Sequence, residues 1–322
     1  MKIALGPRSL RLPPEGCVAT IGNFDGVHLG HRAVIERLSL EGKRLGVPVL
    51  VVLFEPQPLE FFNPDLAPPR LMRLREKIDR LSELPIDQVL VLRFNRKLAG
   101  MSPEAFIDEI LIQALRLRFL VIGDDFRFGL GRRGDFRLLR ETGHQAGFEV
   151  ADTPSVMTAG HRISSTLIRE ALMAGNLDLA ATLLGKPYEV CGRIIHGEKR
   201  GRTLGFPTAN LKMQRRQTPV KGVFAVTMRG VGQNPLPGVA NVGKRPTVAG
   251  DSATLLETHL IDYHGDLYGR RVEVEFHAKI RDERRFADLD ELRTQIEQDL
   301  MAARCFFEDR RLPKAAPPPQ RA

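Results

Sequence analysis

The pattern of apolar residues changes once along this chain, near residue 184, and this change constrains the fold more than any other feature. Before it, short apolar runs of strand length alternate with stretches whose apolar residues recur at helical spacing. The predicted strands cover residues 17–21, 49–54, 88–94, 119–122 and 148–151, and the predicted helices cover residues 30–45, 71–84, 103–115, 135–146 and 166–184. This alternation predicts an α/β doubly wound domain with a parallel sheet, whose ligands bind at the carboxyl ends of the strands.

After residue 185 the apolar runs are interrupted by glycine and proline. They occur at residues 189–195, 222–228, 238–242, 255–261 and 272–276, a spacing typical of a small antiparallel β-barrel. An amphipathic stretch at residues 289–307 predicts a C-terminal helix, and the proline-rich end predicts a disordered tail. The predicted domains are therefore residues 1–184 and 185–308, with a tail at 309–322.

Composition excludes several classes of protein. With 322 residues, of which 43% are hydrophobic and 27% charged, the chain resembles two ordinary globular domains rather than a disordered or fibrous protein. No apolar run reaches bilayer length, and the N-terminus lacks the apolar core of a signal peptide. Cys17, Cys191 and Cys305 lie too far apart along the chain to indicate a disulfide framework or a zinc site. We therefore expect a cytoplasmic protein with no membrane partner.

The positive charge is uneven along the chain. The formal net charge is +9, of which +2 falls in residues 1–185 and +7 in residues 186–322. Such an excess suits nucleic acid, anionic small molecules or a solvated surface. A nucleic-acid-binding protein is thus an alternative, but there is no tryptophan, there are only three tyrosines, and no aromatic string for base stacking is present. We expect no nucleic-acid partner.

A glycine-rich loop follows the first predicted strand and leads into a helix. Its sequence, at residues 22–31, is GNFDGVHLGH. Glycines let the backbone approach a ligand closely, and a helix start offers unpaired N–H groups and a positive dipole end. His28 and His31 lie three positions apart, so both imidazoles can point at the same phosphate oxygens. No third ligand follows at metal spacing, so the loop predicts a phosphate site.

A second candidate phosphate site lies at the start of the last helix of this region. Ser164, Ser165 and Thr166 supply hydroxyl groups, and Arg169 supplies a planar guanidinium suited to phosphate oxygens. Simple N-capping by the serines is the alternative. The two interpretations are compatible, because a capped helix start is also a place where an anion docks.

Polar residues also interrupt the second region. Thr208 and Asn210 alternate, so in an extended chain their side chains emerge on one face, where two oxygen ligands suit Mg²⁺. Turn formation beside Pro207 is the alternative. Glu257 lies in an otherwise apolar strand and should face a cleft, a cation or a ligand, because an unpaired buried carboxylate is costly. An edge-strand charge that prevents aggregation is the alternative for Glu257.

These segments resemble those of one family. HxGH after a first strand is similar to the nucleotidyltransferase superfamily, and the full string GNFDGVHLGH resembles the FMN adenylyltransferase module of bacterial bifunctional riboflavin kinase/FAD synthetase. GRTLGFPTANL, at residues 201–211, is similar to the riboflavin kinase signature. Matches at residues 222–225, 241–247 and 279–283 extend the resemblance from about residue 15 to 307. A nucleotidyltransferase of cytidylyl or pantetheine type is the alternative for the first domain, and the second domain argues against it.

The resemblance implies two ATP-dependent activities. Riboflavin would be phosphorylated to FMN by the second domain, and FMN would be adenylylated to FAD by the first, with release of pyrophosphate. Mg²⁺ is the implied cofactor, and the implied partners are riboflavin, FMN, FAD and ATP. A homo-oligomer is left open.

The resemblance also implies roles for individual residues. His28 and His31 would act in adenylyl transfer, and Glu257 would be the base of the kinase. The residues implied to bind ATP or its phosphates are Gly22, Asn23, Phe24, Asp25, Gly30, Ser164, Ser165, Thr166, Arg169, Gly205 and Thr208. Asn23 and Asp25 have turn formation as their alternative. The residues implied to contact flavin are Asp125, Phe126 and Phe128, and those implied to hold the metal are Thr208 and Asn210.

Overall fold

The chain forms two compact units. The computed structural model describes residues 1–123, 125–153, 156–158, 160–197, 205–245 and 253–310. The N-terminal unit comprises Met1–Pro68 and Leu74–Ile163, and the C-terminal unit comprises Pro69–Arg73 and the described residues from Ser164 onward. The predicted domain boundary after residue 184 stays a prediction. Asp124, residues 201–204 and 246–247, and the predicted tail from residue 311 lie outside the described residues.

A parallel sheet forms the centre of the N-terminal unit. Its strands are β1 (Lys2–Leu5), β2 (Cys17–Ile21), β3 (Val49–Glu55), β4 (Gln88–Arg93), β5 (Leu117–Ile122) and β6 (Glu149–Asp152). Their order across the sheet is β1-β4-β3-β2-β5-β6. The chain therefore builds outward from β2 on one side and then starts again with β5 on the other. Ligands of such sheets bind where the order reverses, outside the carboxyl ends of the strands.

The strands confirm the predicted α/β class, with one addition. All five residues of β2 are buried, as expected of a strand covered on both faces. The addition is β1, which pairs with β4 at the sheet edge. Only Ala4 of its four residues is buried. A strand this short and this exposed has no run of buried apolar residues by which the sequence could have predicted it.

Helices cover the sheet, and they include two short ones, at residues 58–62 and 96–99, that were not predicted. They are α1 (Leu29–Leu45), α2 (Pro58–Phe62), α3 (Leu74–Leu81), α4 (Arg96–Ala99), α5 (Pro103–Ala105), a π-helix (Phe106–Ala114) and α6 (Phe136–Ala146). The helix predicted at residues 71–84 is thus shorter, and most of the one predicted at 103–115 is a π-helix. A small hairpin follows, with β7 at Met157–Thr158 and β8 at His161–Arg162.

Two helices begin the main part of the C-terminal unit, where the sequence predicted one at residues 166–184. They are α7 (Ser165–Met173) and α8 (Leu177–Leu184). Gly175 separates them in the left-handed conformation, with φ of 77°, which favours glycine. The Asn176 side chain then accepts a hydrogen bond from the backbone N–H of Leu179 at 3.1 Å and so caps a new helix.

The rest of the C-terminal unit is a closed antiparallel barrel, as predicted. Its strands are β9 (Tyr188–Ile195), β10 (Ala209–Lys212), β11 (Gly222–Arg229), β12 (Leu236–Arg245), β13 (Ala253–Leu260) and β14 (Arg271–Arg281). They close in the order β10-β13-β12-β11-β14-β9. Five strands correspond to predicted runs, and β10 is the addition that carries Asn210.

Helix α9, at Leu289–Asp309, packs on the barrel as the predicted C-terminal helix. Ala303 and Phe307 lie buried against Ala225 of β11. The Arg281 guanidinium forms a bidentate ion pair with the buried Asp299 carboxylate, with two N–O distances of 2.8 Å, and this geometry fixes the helix firmly to β14. The helix includes residue 309, which had been predicted as the first residue of the tail. None of the described helices is both long enough and apolar enough to span a bilayer.

Candidate functional sites

The loop between β2 and α1 has an unusual backbone. Phe24 and Val27 both have positive φ values, 47° and 42°, although valine rarely adopts this conformation. Gly26 between them has φ of 93°. Conformations of this kind persist where surrounding structure enforces them and cluster at ligand sites. These dihedral angles make the loop a candidate ligand site.

The two predicted histidines lie against each other at the end of this loop. Their rings stack with centroids 3.6 Å apart and planes inclined by 15°. His28 is the N-cap of α1, where its Nδ1 accepts a hydrogen bond from the His31 backbone N–H at 3.3 Å. In the neutral ring the proton is therefore on Nε2, so Nε2–H is the donor of this ring. His31 also packs against the Phe24 ring, at a centroid distance of 4.7 Å.

The environment of His31 keeps its imidazole neutral. Burial, the adjacent His28 and the charge of Lys77 together lower the pKa of His31 well below its ordinary value of 6.5. Its Nδ1 is buried with no hydrogen-bond partner among the described residues. A buried polar atom without a partner is costly, so this atom is available to a ligand group.

We predict that this neutral histidine makes stability depend on pH. Unfolded His31 binds a proton near its ordinary pKa, whereas native His31 stays neutral to lower pH, so below about pH 6.5 the unfolded chain binds the additional proton. As the pH is lowered below about 6.5, the free energy of unfolding of the N-terminal unit should therefore decrease, by up to about 1.4 kcal/mol per pH unit. Relative to wild type, His31→Gln should gain stability between pH 7 and pH 5, measured by urea unfolding with hydrogen exchange of α1. Parallel stability curves would contradict the prediction.

A cavity of about 210 Å³ lies beside the histidines. It opens at the carboxyl ends of β2 and β5, where the strand order reverses. Among the predicted phosphate-binding residues, it is lined by Gly22, Phe24, Gly30, His28 and His31. Position 30 favours glycine for a steric reason, since a Cβ there would lie 3.2 Å from the His28 ring. The structure thus brings together most of the residues predicted from the loop.

Three polar residues of this cavity were not predicted. Thr20 lies near the end of β2, Thr153 directly follows β6, and Arg162 lies on β8. Arg162 is the one guanidinium in the described lining, where it adds positive charge. A signal for the two threonines was available, because each lies at the carboxyl end of a strand. Arg162 precedes the predicted Ser-Ser-Thr segment by two positions, but its isolated charge carried no pattern.

The other predicted phosphate-binding residues of the first domain lie elsewhere. Asn23 is exposed, and Asp25 is buried but lies outside the cavity lining. Ser164, Ser165, Thr166 and Arg169 belong to the C-terminal unit. Ser164 caps α7 by accepting from the Leu167 N–H at 3.2 Å, and the Arg169 Nε donates to the Pro69 carbonyl at 2.7 Å. Their phosphate-binding roles stay predictions.

The predicted flavin-contacting residues lie between β5 and α6. Asp125 is exposed. Its carboxylate lies so close to Gly123 that a Cβ at position 123 would be 2.6 Å from one of its oxygens, so glycine makes room for it. The Phe126 and Phe128 rings stack at 5.6 Å, and Phe128 is buried against Phe106. Phe128 therefore supports the core directly, and flavin contact by these residues stays a prediction.

A second cavity, of about 330 Å³, lies at one end of the barrel. The predicted metal ligands Thr208 and Asn210 both line it. The Asn210 Nδ2 donates to the Thr208 backbone carbonyl at 3.2 Å, which leaves its Oδ1 as an acceptor. A Cβ at Gly197 would lie 2.5 Å from the Asn210 amide, so glycine makes room for this side chain. Gly205 is exposed and lies outside the lining.

Glu257 lies in a row of polar residues that crosses three strands. Its partners in register are Asn210 on β10 and Asn241 on β12, and directly opposed residues point to the same face of a sheet. Glu257 is partly buried and adjoins the second cavity through Asn210. The Asn241 Oδ1 is buried with no hydrogen-bond partner in the part of the chain that the structure describes. Asn241 was not predicted as a site residue, because strand pairing alone places it beside Glu257.

The sequence matches two family models, one in each half of the chain. The model of the FAD synthetase family matches residues 11–167, and that of the riboflavin kinase family matches residues 184–307. The bifunctional riboflavin kinase/FMN adenylyltransferase of Escherichia coli (strain K12) is 53% identical, with 95% of this chain and 98% of the relative covered. The Pseudomonas fluorescens protein of the same description is 49% identical, with coverages of 95% and 98%.

A solved structure shows the same fold. A Streptococcus pneumoniae chain described as a macrolide-efflux protein is 30% identical, with a TM-score of 0.78 and coverage of 94% of this chain and 98% of that chain. The family matches and the relatives agree with the resemblance found in the motifs. The chain therefore belongs to the bifunctional riboflavin kinase/FMN adenylyltransferase family, with a FAD synthetase domain followed by a riboflavin kinase domain.

Proposed function

We propose that the two activities of this chain, riboflavin kinase and FMN adenylyltransferase, take place at two separate sites. The cavity beside His28 and His31 would carry adenylyl transfer, and the barrel cavity beside Thr208 and Glu257 would carry phosphorylation. The observation that carries this assignment is the stacked histidine pair at a helix start, at the carboxyl ends of β2 and β5. This is a phosphate-binding geometry.

In adenylyl transfer, a phosphate oxygen of FMN attacks the α-phosphorus of ATP in line. A new P–O bond forms, the bond from the α-phosphorus to the bridging oxygen breaks, and pyrophosphate leaves. Bringing two anions together is the main difficulty, and correct positioning can supply about 7–11 kcal/mol. The His28 Nε2–H and the His31 ring would donate to phosphate oxygens as negative charge develops, and Arg162 would add a further positive charge.

In phosphorylation, the 5′-hydroxyl oxygen of riboflavin attacks the γ-phosphorus of ATP, and ADP leaves. Glu257 would accept the hydroxyl proton. In a loose phosphoryl-transfer transition state proton removal is late, so the orientation of the carboxylate matters more than its basicity. The strand neighbours Asn210 and Asn241 lie on the same face and would orient it.

The barrel cavity fits a magnesium ion. Hydroxyl and amide oxygens, such as those of Thr208 and Asn210, are ligands that Mg²⁺ accepts while it keeps several waters. In the part of the chain that the structure describes, no cluster of three His, Cys, Asp or Glu side chains could hold a metal ion. When bound, the ion would neutralise negative charge on the ATP phosphates.

We expect Thr208→Ala to weaken use of MgATP in the kinase reaction alone. Loss of one oxygen ligand should raise the Mg²⁺ concentration for half-maximal FMN formation by roughly tenfold. A magnesium titration of both reactions measures this. FAD formation from supplied FMN is the internal control and should keep its wild-type magnesium dependence. An unchanged titration of FMN formation would remove Thr208 from the site.

The overall test is incubation of the purified chain with riboflavin, ATP and Mg²⁺, followed by chromatographic separation of the flavins. FMN should appear first and FAD should follow. The substrates and products are then riboflavin, FMN, FAD and ATP, as the sequence predicts. We further infer that the protein works in the cytoplasm. Supporting this, Cys17 and Cys305 are free thiols, as is usual in a reducing compartment.

A further inference from the structure

The backbone pairing of the strand that carries Asn210 begins just after Thr208. The first rung between β10 and β13 pairs Ala209 with Thr258. One rung further, Thr208 would face His259, but Thr208 lies outside the ladder. Pro207, which precedes Thr208, has no N–H and cannot donate to a ladder. The backbone of Thr208 is therefore not held by the strand pairing that holds Asn210.

A side chain takes the place of the missing rung. The His259 Nδ1 lies 2.9 Å from the Pro207 carbonyl oxygen. A carbonyl oxygen only accepts, so Nδ1 carries the proton and donates. The His259 ring also meets the Phe206 ring edge to face, at a centroid distance of 5.7 Å and an angle of 86°. One histidine thus contacts both residues that immediately precede Thr208.

We infer that His259 is a positioning residue of the kinase reaction, which holds the backbone of Thr208 in place for MgATP through its hydrogen bond to Pro207. The inference rests on the proposed role of Thr208. Glu257 and His259 are alternate residues of β13, so both lie on the same face of the strand. The strand that carries the proposed base therefore also holds the segment that carries the proposed metal ligand. His259 itself contacts neither nucleotide nor flavin in this role.

The experiment compares two substitutions in the full-length chain. His259→Phe keeps an aromatic ring against Phe206 but removes the donor, whereas His259→Asn keeps an N–H close to the position of Nδ1. We expect His259→Phe to raise KM for MgATP in FMN formation on the order of tenfold, with a smaller change in kcat. His259→Asn should restore KM to within about threefold of wild type. FAD formation from supplied FMN should be unchanged in both variants.

A matched control separates positioning from general weakening of the barrel. His277 on β14 also makes a side-chain contact within the barrel, with its Nε2 2.8 Å from the Thr227 Oγ1. His277→Phe should lower the melting temperature without raising KM for MgATP. An equal rise in KM in this variant would overturn the inference, and so would a His259→Asn variant that behaves like His259→Phe.

Thr208→Ala distinguishes failure of the inference from failure of the proposed site. If Thr208→Ala raises KM for MgATP and His259→Phe does not, the positioning role is wrong and the metal site stands. If neither substitution raises KM, the role of Thr208 is wrong, and the positioning role of His259 is overturned with it.

Discussion

Replacement of His28 by asparagine should slow FAD formation by about 10²- to 10³-fold, the usual cost of removing one donor aimed at developing charge. The His28 Nδ1 accepts from the His31 N–H, so the donor that the substitution removes is the Nε2–H. Asparagine is a good N-cap and should keep α1 stable. Single-turnover conversion of FMN and ATP to FAD measures the effect. FMN formation from riboflavin should keep its wild-type rate, because it uses the other site.

His28→Ala is the companion variant. It removes both the donor and the cap, so it should lose FAD formation to the same extent and also about 1 kcal/mol of stability. Equal melting temperatures for wild type and His28→Asn, with a lower value for His28→Ala, would separate the two roles. If His28→Asn remained folded but lost both activities, the assignment of two separate sites would be wrong.

Replacement of Glu257 by glutamine should produce the reverse pattern. Loss of the proton acceptor is expected to slow FMN formation by about 10²-fold or more, whereas FAD formation from supplied FMN should be unaffected. Glutamine preserves the size of the side chain and its place beside Asn210 and Asn241. Rates of ADP release with riboflavin as the acceptor measure the change.

Glu273→Gln is the matched control for this variant. Glu273 is a partly exposed carboxylate on β14 of the same barrel, paired in register with Cys191, and its loss should leave both activities intact. A Glu257→Gln enzyme with a wild-type kinase rate would show that Glu257 is a strand charge rather than the base. Reciprocal losses in the His28 and Glu257 variants are the pattern that two independent ATP sites require.

Local patterns predicted the elements of the fold well where burial is one-sided or complete. The strands β2 and β3 are buried over almost their whole length and were recognised, while β1 buries one residue and was not. The break between α7 and α8 needed a left-handed Gly175 followed by a capping Asn176. Glycine and asparagine also occur in other contexts, so these two residues alone did not predict the break.

The residues of the candidate sites also fall into those that local spacing predicted and those that only the fold brings together. His28, His31 and Gly30 are neighbours along the chain, and their spacing at a helix start already predicted that they act together. Thr153 and Arg162 reach the same cavity from distant segments. The strand end before Thr153 was a signal in the sequence, whereas no local pattern indicated Arg162. Asn241 is a comparable case in the barrel, where only the pairing of β12 with β13 places it beside Glu257.

The amino-acid sequence by itself determined the order of the two domain types, the glycine-rich loop with its two histidines, the Thr-Ala-Asn segment and the acid at position 257. These features are short-range, because helix starts, strand alternation and glycine-dependent turns depend on residues a few positions apart. Only the tertiary structure decided which distant polar groups share a cavity, why His31 stays neutral and how His259 contacts Pro207. Burial and strand register create these relations, and both depend on where the rest of the folded chain lies.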